Sequence, residues 1–181
     1  MVQEKKPRKV IGWATFIDQI KLESLRSDWK DLFDLKKFSL ADRMKILSDL
    51  GVIQKRVAFE NITPLVGFEA LVKALTGNIA SVDEIAVNVH ALGSSSTAAA
   101  DANTQLGSET TRALLSSVAY GSGANRNKAY YTAFYGLADA VGTHEEMGLF
   151  INANAETPND GVLWDRTILH LVKTGAQSLT I

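Results

Sequence analysis

The 181-residue sequence contains no cysteine. That absence excludes disulfides, thiolate metal sites and cysteine nucleophiles, and suits a cytosolic product or one that must survive any redox compartment. No apolar run approaches the roughly eighteen residues of a membrane-spanning helix. The opening MVQEKKPRKV is basic but carries no signal-peptide apolar region, so no membrane association is expected. An excess of one charge is also missing. The net charge is −1, which points neither to nucleic acid nor to an acidic membrane. The charge is nevertheless divided. Residues 1–60 hold 13 basic and 9 acidic residues, a balance of +4, and residues 61–181 hold 6 and 11, a balance of −5. The interspersed acids of the first part weigh against nucleic-acid binding and favour a solvated helical face.

Catalytic signatures are lacking too. His144-Glu145 opens like a zinc-protease motif, but the residue four after His144 is Gly148, which cannot ligate. A metal hydrolase would have to gather His90, His144 and His170 from distant segments; the simpler reading places all three on or near strand surfaces. The segment 121-GSGANRNK-128 lacks the Gly-Lys-Ser/Thr ending of a phosphate loop and reads as a hairpin turn. No Gly-x-Ser-x-Gly elbow accompanies the serines. The adjacent Glu145 and Glu146 point to opposite faces of a strand, so they cannot share a substrate. The inward one needs a cationic partner, Arg166 or Arg112. The sequence therefore reads as a non-enzymatic protein without a cofactor.

What is present is apolar periodicity of two kinds. Phe16, Ile17, Ile20, Leu22, Leu25, Trp29, Leu32 and Phe33 recur in steps of three and four, which predicts an amphipathic helix within 13–33. A second helix is expected from an N-cap at Ser39 to a stop at Gly51, and a third over 64–77, capped by Thr63. The period then changes to two. Strands are expected at 84–90, 111–120, 128–136, 145–152, 162–172 and 178–181, separated by Gly-, Asn- and Asp-rich turns. This spacing suits an antiparallel sandwich or barrel, and the absence of intervening helices argues against βαβ units. The small, polar stretch 93–110 is a long loop of a kind that is often functional or covered by a partner. The expected class is α+β: a helical docking region over 1–60, then a mainly antiparallel, jelly-roll-like β-sandwich over 61–181 opened by the helix near 64–77.

Aromatic residues supply the candidate contacts. On a strand Tyr130 and Phe134 share one face, and Tyr131 and Tyr135 the other. Aromatics on both faces suggest a strand packed on its core on one side and on a second subunit on the other. Trp13 and Trp29 are the expected anchors of the helical region. A sugar-binding platform within the cluster Tyr130, Tyr131, Phe134 and Tyr135, using Tyr130, Tyr131 or Tyr135, is the competing reading.

One ordered set of elements runs through residues 62–181. It comprises the apolar helix 65-LVGFEALVKALTG-77, the Leu-x-x-Glu-x-x-Arg element of Leu106, Glu109 and Arg112, and the aromatic strands. After these come the Glu-x-Gly-Leu-Phe strand of Glu146, Gly148, Leu149 and Phe150, then Arg166, and last Lys173-Thr174 with Ser178-Leu179-Thr180-Ile181. In this order the chain resembles a β-sandwich domain of tailed-bacteriophage virion proteins, among tail-fibre, baseplate and capsid-associated components. The resemblance implies a structural protein rather than an enzyme. It implies a place in the virion, after synthesis in the host cytoplasm, and assembly with other virion proteins and with copies of itself, a trimer by analogy with fibre-like parts. A receptor- or carbohydrate-binding module of a tail fibre, engaging a host surface glycan, is the alternative it leaves. Similar domains continue for a few strand residues beyond Leu-Thr-Ile, so the last strand is expected to be short or completed by another subunit.

Overall fold

Alternating β-branched and aromatic residues build eight strands among the described residues. The computed structural model describes residues 10–18, 40–123 and 128–181. Their elements in chain order are β1 (Val10–Asp18), α1 (Leu40–Asp49), β2 (Ile53–Asn61), α2 (Leu65–Leu75), a 3-10 turn (Val82–Ile85), β3 (Val87–Gly93), β4 (Glu109–Tyr120), β5 (Ala129–Tyr135), β6 (Gly142–Ile151), β7 (Val162–Lys173) and β8 (Gln177–Thr180). All strand pairings are antiparallel, in one sheet of order β2-β1-β8-β5-β4-β3-β6-β7. The two ends of this order meet. Ile62, directly after β2, exchanges two backbone hydrogen bonds of 2.9 Å with Arg166 of β7. The sheet thus curls round on itself, which protects edges that an open sheet would leave free.

The antiparallel β-rich body matches the expectation, but its N-terminal part does not. Residues 13–18, assigned to a helix from their spacing, lie in β1, paired with β2 and β8. VIGWATFID is dense in β-branched and aromatic residues and contains Gly12, a poor helix former, so sheet pairing prevails over a short apolar run that fits both periods. The rest of that expected helix, Trp29 included, lies outside the described residues. Residues 53–61 form β2, so the helical region expected over 1–60 contributes two strands to the sheet. The helix expected after Ser39 is α1, and Gly51 (φ 68°) ends it, with Val52 N–H bonded to the Leu47 carbonyl at 2.9 Å. The strand expected over 84–90 instead begins at Val87, because Val82–Ile85 turn tightly first.

Two apolar clusters lie on opposite faces of β3, β6 and β7. One is interior and joins Leu92, Ala133, Tyr135, Met147, Leu171 and Leu179. The other joins Val89, Ala91, Leu106, Phe150 and Leu163, with Val66 of α2 packed against it. β6 is therefore buried on both faces, which explains its uninterrupted run Met147–Ile151. Side chains of about 1.5–3 kcal/mol each, when fully buried, hold both layers.

α2 sits unusually close to β7. Its buried positions are Gly67 and Ala70, and a Cβ on Gly67 would stand 2.9 Å from the Trp164 carbonyl oxygen. Pro64 occupies the N-cap position and no side chain caps the helix, so Thr63 does not play the role expected of it. Leu65 N–H instead donates to the Asp101 carbonyl at 2.9 Å, within the 93–110 loop. Gly148 is equally constrained: a Cβ there would lie 2.7 Å from the Asp165 carbonyl oxygen of the paired strand. Gly148→Ala is expected to destabilise the protein by about 1–3 kcal/mol in urea unfolding, because backbone, rather than a flexible side chain, must move.

Candidate functional site

The outer face of β4, β3, β6 and β7 carries two ion pairs, and each is sealed under a loop. In the first, Arg166 Nη2 lies 2.8 Å from Glu146 Oε2, and its Nε donates to the same oxygen at 2.9 Å. Both residues are buried, Glu146 completely. Glu146 also accepts from the backbone N–H groups of Ser95 (3.2 Å), Gly107 (2.9 Å) and Ser108 (2.7 Å). Arg166 donates onward to the Asn103 side-chain oxygen (2.8 Å) and to the Thr97 (3.0 Å) and Ala98 (3.4 Å) carbonyls. The loop of small polar residues buries little apolar surface, so these charge-assisted bonds hold it down. Its ends are tied by Ser94 N–H to the Ser108 carbonyl at 2.8 Å, and Leu106 plugs into the apolar cluster below.

In the second pair, Arg112 and Glu109 meet in a two-pronged contact, Nε to Oε1 and Nη2 to Oε2, the latter at 2.8 Å. Arg112 Nη1 donates to the Asn154 carbonyl at 2.7 Å, and Glu109 accepts from Asn159 N–H at 3.0 Å. This pair fastens the β6–β7 loop. The Arg112 guanidinium carbon also lies 5.0 Å from the centre of the Phe150 ring, a cation–π contact that fixes its height over the sheet.

Seven residues picked out by order in the sequence, Leu106, Glu109, Arg112, Glu146, Gly148, Phe150 and Arg166, are thus gathered into or beside one layer. Lys173 lies apart from them. It is buried, donates to the Leu137 carbonyl at 3.1 Å, and has its pKa lowered by burial against the opposing pull of Asp139. Of the two adjacent glutamates, Glu146 faces inward to Arg166, and Glu145 faces outward to His170 Nδ1 at 2.8 Å. The aromatic candidates separate. Tyr130 is exposed and Tyr131 is half-buried, with its pKa raised by burial and by Asp165. Tyr135 is 1% exposed in the interior cluster and is no interface residue, because its strand position points into the closed sheet. Trp13 is placed only as a position in β1 opposite Ala58.

The histidines are not all at strand surfaces. His90 and His144 are buried, and only His170 is exposed. The Tyr135 hydroxyl lies 2.7 Å from His90 Nδ1 and 3.1 Å from the His90 carbonyl oxygen, hydrogen-bonding to the buried ring. In either tautomer His90 Nε2 is left without a partner among the described residues. His144 Nε2–H donates to the Ala140 carbonyl at 2.9 Å. Among the described residues no group of three or more His, Asp or Glu could hold a metal ion. Burial raises the Tyr135 pKa and, with the nearby His144, lowers that of His90 to about 3.

Comparisons with known proteins return nothing similar: no family model, no curated protein and no solved structure matches the chain. The ionic layer spends its hydrogen-bonding capacity on backbone groups of two loops, so its chemistry is that of fastening. The fastening role of Asn103 and of the Ser95 and Ser108 amides left no mark in the sequence, since single polar loop residues carry no period.

Glu146→Gln leaves the Arg166 charge buried against a neutral amide. It is expected to cost about 3–5 kcal/mol in urea unfolding, with much of the loss recovered in Glu146→Gln/Arg166→Met. For His90, the unfolded chain binds its proton near the ordinary value of 6.5 and the folded protein only near 3. Stability is therefore full above pH about 6.5 and falls as the pH drops toward 3. From about pH 7 to about pH 4.5 the loss attributable to this group is about 2–3 kcal/mol. His90→Gln, compared with wild type at both pH values, should flatten that part of the profile.

Proposed function

We propose that the protein is a non-enzymatic structural subunit of a bacteriophage particle, in the tail, baseplate, neck or capsid-associated parts, joined to copies of itself and to other virion proteins. In this reading it is made in the host cytoplasm and built into the virion, and the curled sheet serves as a flattened, jelly-roll-like sandwich body. The resemblance read in the sequence supplies the bacteriophage part of this reading, and the observation that carries its assembly part is the reversed polarity of α2. The helix turns Gly67, Ala70 and the partly buried Val66 to the sheet and its other large apolar residues outward. Leu65, Phe68, Val72 and Leu75 are all exposed, at spacings of three, four and three, with Leu71 beside them. That is the seam one helix offers to another. A helix apolar on its outer side is ordinarily covered, and a contiguous exposed stripe marks an interaction surface.

The buried charges agree with this. Both ion pairs hold loops in place, as a building block requires, and neither faces an open cleft. The docking role read from the sequence in residues 1–60 passes in this proposal to α2. The glycan-binding alternative ranks behind it, because Tyr135 is buried and Tyr131 half-buried, which leaves Tyr130 and Phe134 as the exposed members of the aromatic cluster.

The test is native mass by light scattering over a concentration series. Wild type is expected at a multiple of the 19.6 kDa chain. Leu75→Glu, at a position 78% exposed, should lower that mass while changing folding stability by no more than about 0.5 kcal/mol. Wild-type protein that stays at the chain mass throughout would remove the reading.

A further inference from the structure

The β4–β5 hairpin outgrows the sheet that carries it. β4 pairs with β3 only as far as Leu114, since β3 begins at Val87 and the chain before it turns away in the 3-10 turn. β5 pairs with β8 only at Phe134 and Tyr135, extended by two backbone bonds between Ala133 and Ile181. From Leu115 and Thr132 toward the tip, the two strands pair only with each other among the described residues. Among the described residues the result is a two-stranded ribbon whose outer edges pair with no other strand. Such a ribbon is marginally stable in water by itself.

Its side chains do not suit water either. Val118 (58% exposed) stands opposite Tyr131, and Tyr120 (85% exposed) lies at the tip on the same face. Tyr130 projects from the other face, where Leu114 and Phe134 continue it toward the body. No charged residue occurs from Ala113 to Gly123 or from Ala129 to Tyr135. Solvent-facing edge strands ordinarily carry Lys, Pro or an inward charge that blocks further pairing. On the six-residue β4 edge, Leu115–Tyr120, none of these is present, and beyond the bulge between Leu115 and Ser117 the run Ser117–Tyr120 keeps a regular register.

We infer that this edge of β4 pairs antiparallel with the same edge of a second copy about a two-fold axis, making one sheet continuous through both molecules. The inference rests on the assembly reading above and names its partner. Free main-chain N–H and C=O groups along an edge call for another strand. A strand paired antiparallel with itself places like residues near one another across the axis, so any charge would meet its own kind. An uncharged Leu-Ser-Ser-Val-Ala-Tyr segment meets that condition without a penalty. A contact of this form builds two copies or a multiple of two, in contrast to the trimer expected by analogy.

The absence of cysteine makes the test clean. Single cysteines are introduced in the full-length chain at each of positions 115–120, with Ser48→Cys on exposed α1 as the reference. A disulfide requires Cβ atoms roughly 3.5–4.5 Å apart. Mild oxidation should therefore give a covalent dimer at one or two of the six positions, several-fold above the reference. In parallel, Val118→Lys should lower the native mass, which for wild type is an even multiple of 19.6 kDa. The circular dichroism of the variant reports its fold. Cross-linking no stronger than the reference at all six positions, with association undiminished in Val118→Lys, overturns the ribbon contact and leaves assembly through α2 standing. Wild-type protein at the chain mass at every concentration removes the assembly reading itself.

Discussion

Glu146 and Arg166 meet beneath a loop that has almost nothing else to hold it. The stretch 94–108 is made of small and polar residues, and only Leu106 among them is large and apolar. Water would solvate such a segment as an open loop. The carboxylate, fully buried, converts that tendency by offering its lone pairs to three loop amides and to the guanidinium. The guanidinium in turn reaches loop carbonyls and Asn103. Two charges removed from water are costly, and their attraction repays the cost only when every remaining donor and acceptor is met. Here the loop supplies what is needed, so the ion pair and the loop each make the other tenable.

That constraint propagates. The pinned loop covers the outer face of β3, β6 and β7 and completes the second apolar cluster, and its Asp101 carbonyl receives the first N–H of α2. The helix can then approach β7 through Gly67 and Ala70, which leaves only its large side chains facing out. Arg166 also carries the backbone bridge to Ile62 that brings the two ends of the sheet together. A single buried pair therefore bears on loop position, helix height and sheet closure, and through the helix on the surface offered to a neighbour.

How much of this could be read from the residues depends on the range of the signal. Strands β4 to β8 were legible because alternation and turn residues are local, and α1 and α2 because their spacing and their glycine stops are local. The demand that one of the adjacent glutamates face inward to an arginine followed from strand geometry. β1 was misread because its short apolar run fits both periods, and β-branched density decides only when a partner strand exists. Thr63 was expected as a cap, yet Asp101, distant in sequence, supplies the acceptor for the helix start. Tyr135 was expected at an interface, since alternation separates two faces without saying which one the fold will enclose.

By itself the sequence determined the class of the protein: antiparallel, without thiol chemistry, without a charge excess of one sign, and with the residues of its ionic layer set in order along the chain. Those properties reside in composition and in spacings of two to four residues. Only the tertiary structure decided which faces are closed, which arginine serves which glutamate, which way α2 turns its apolar side, and how far the β4–β5 ribbon extends past its neighbours among the described residues. Each of these depends on contacts between residues tens of positions apart, where local periodicity carries no information and closure of the sheet sets the answer.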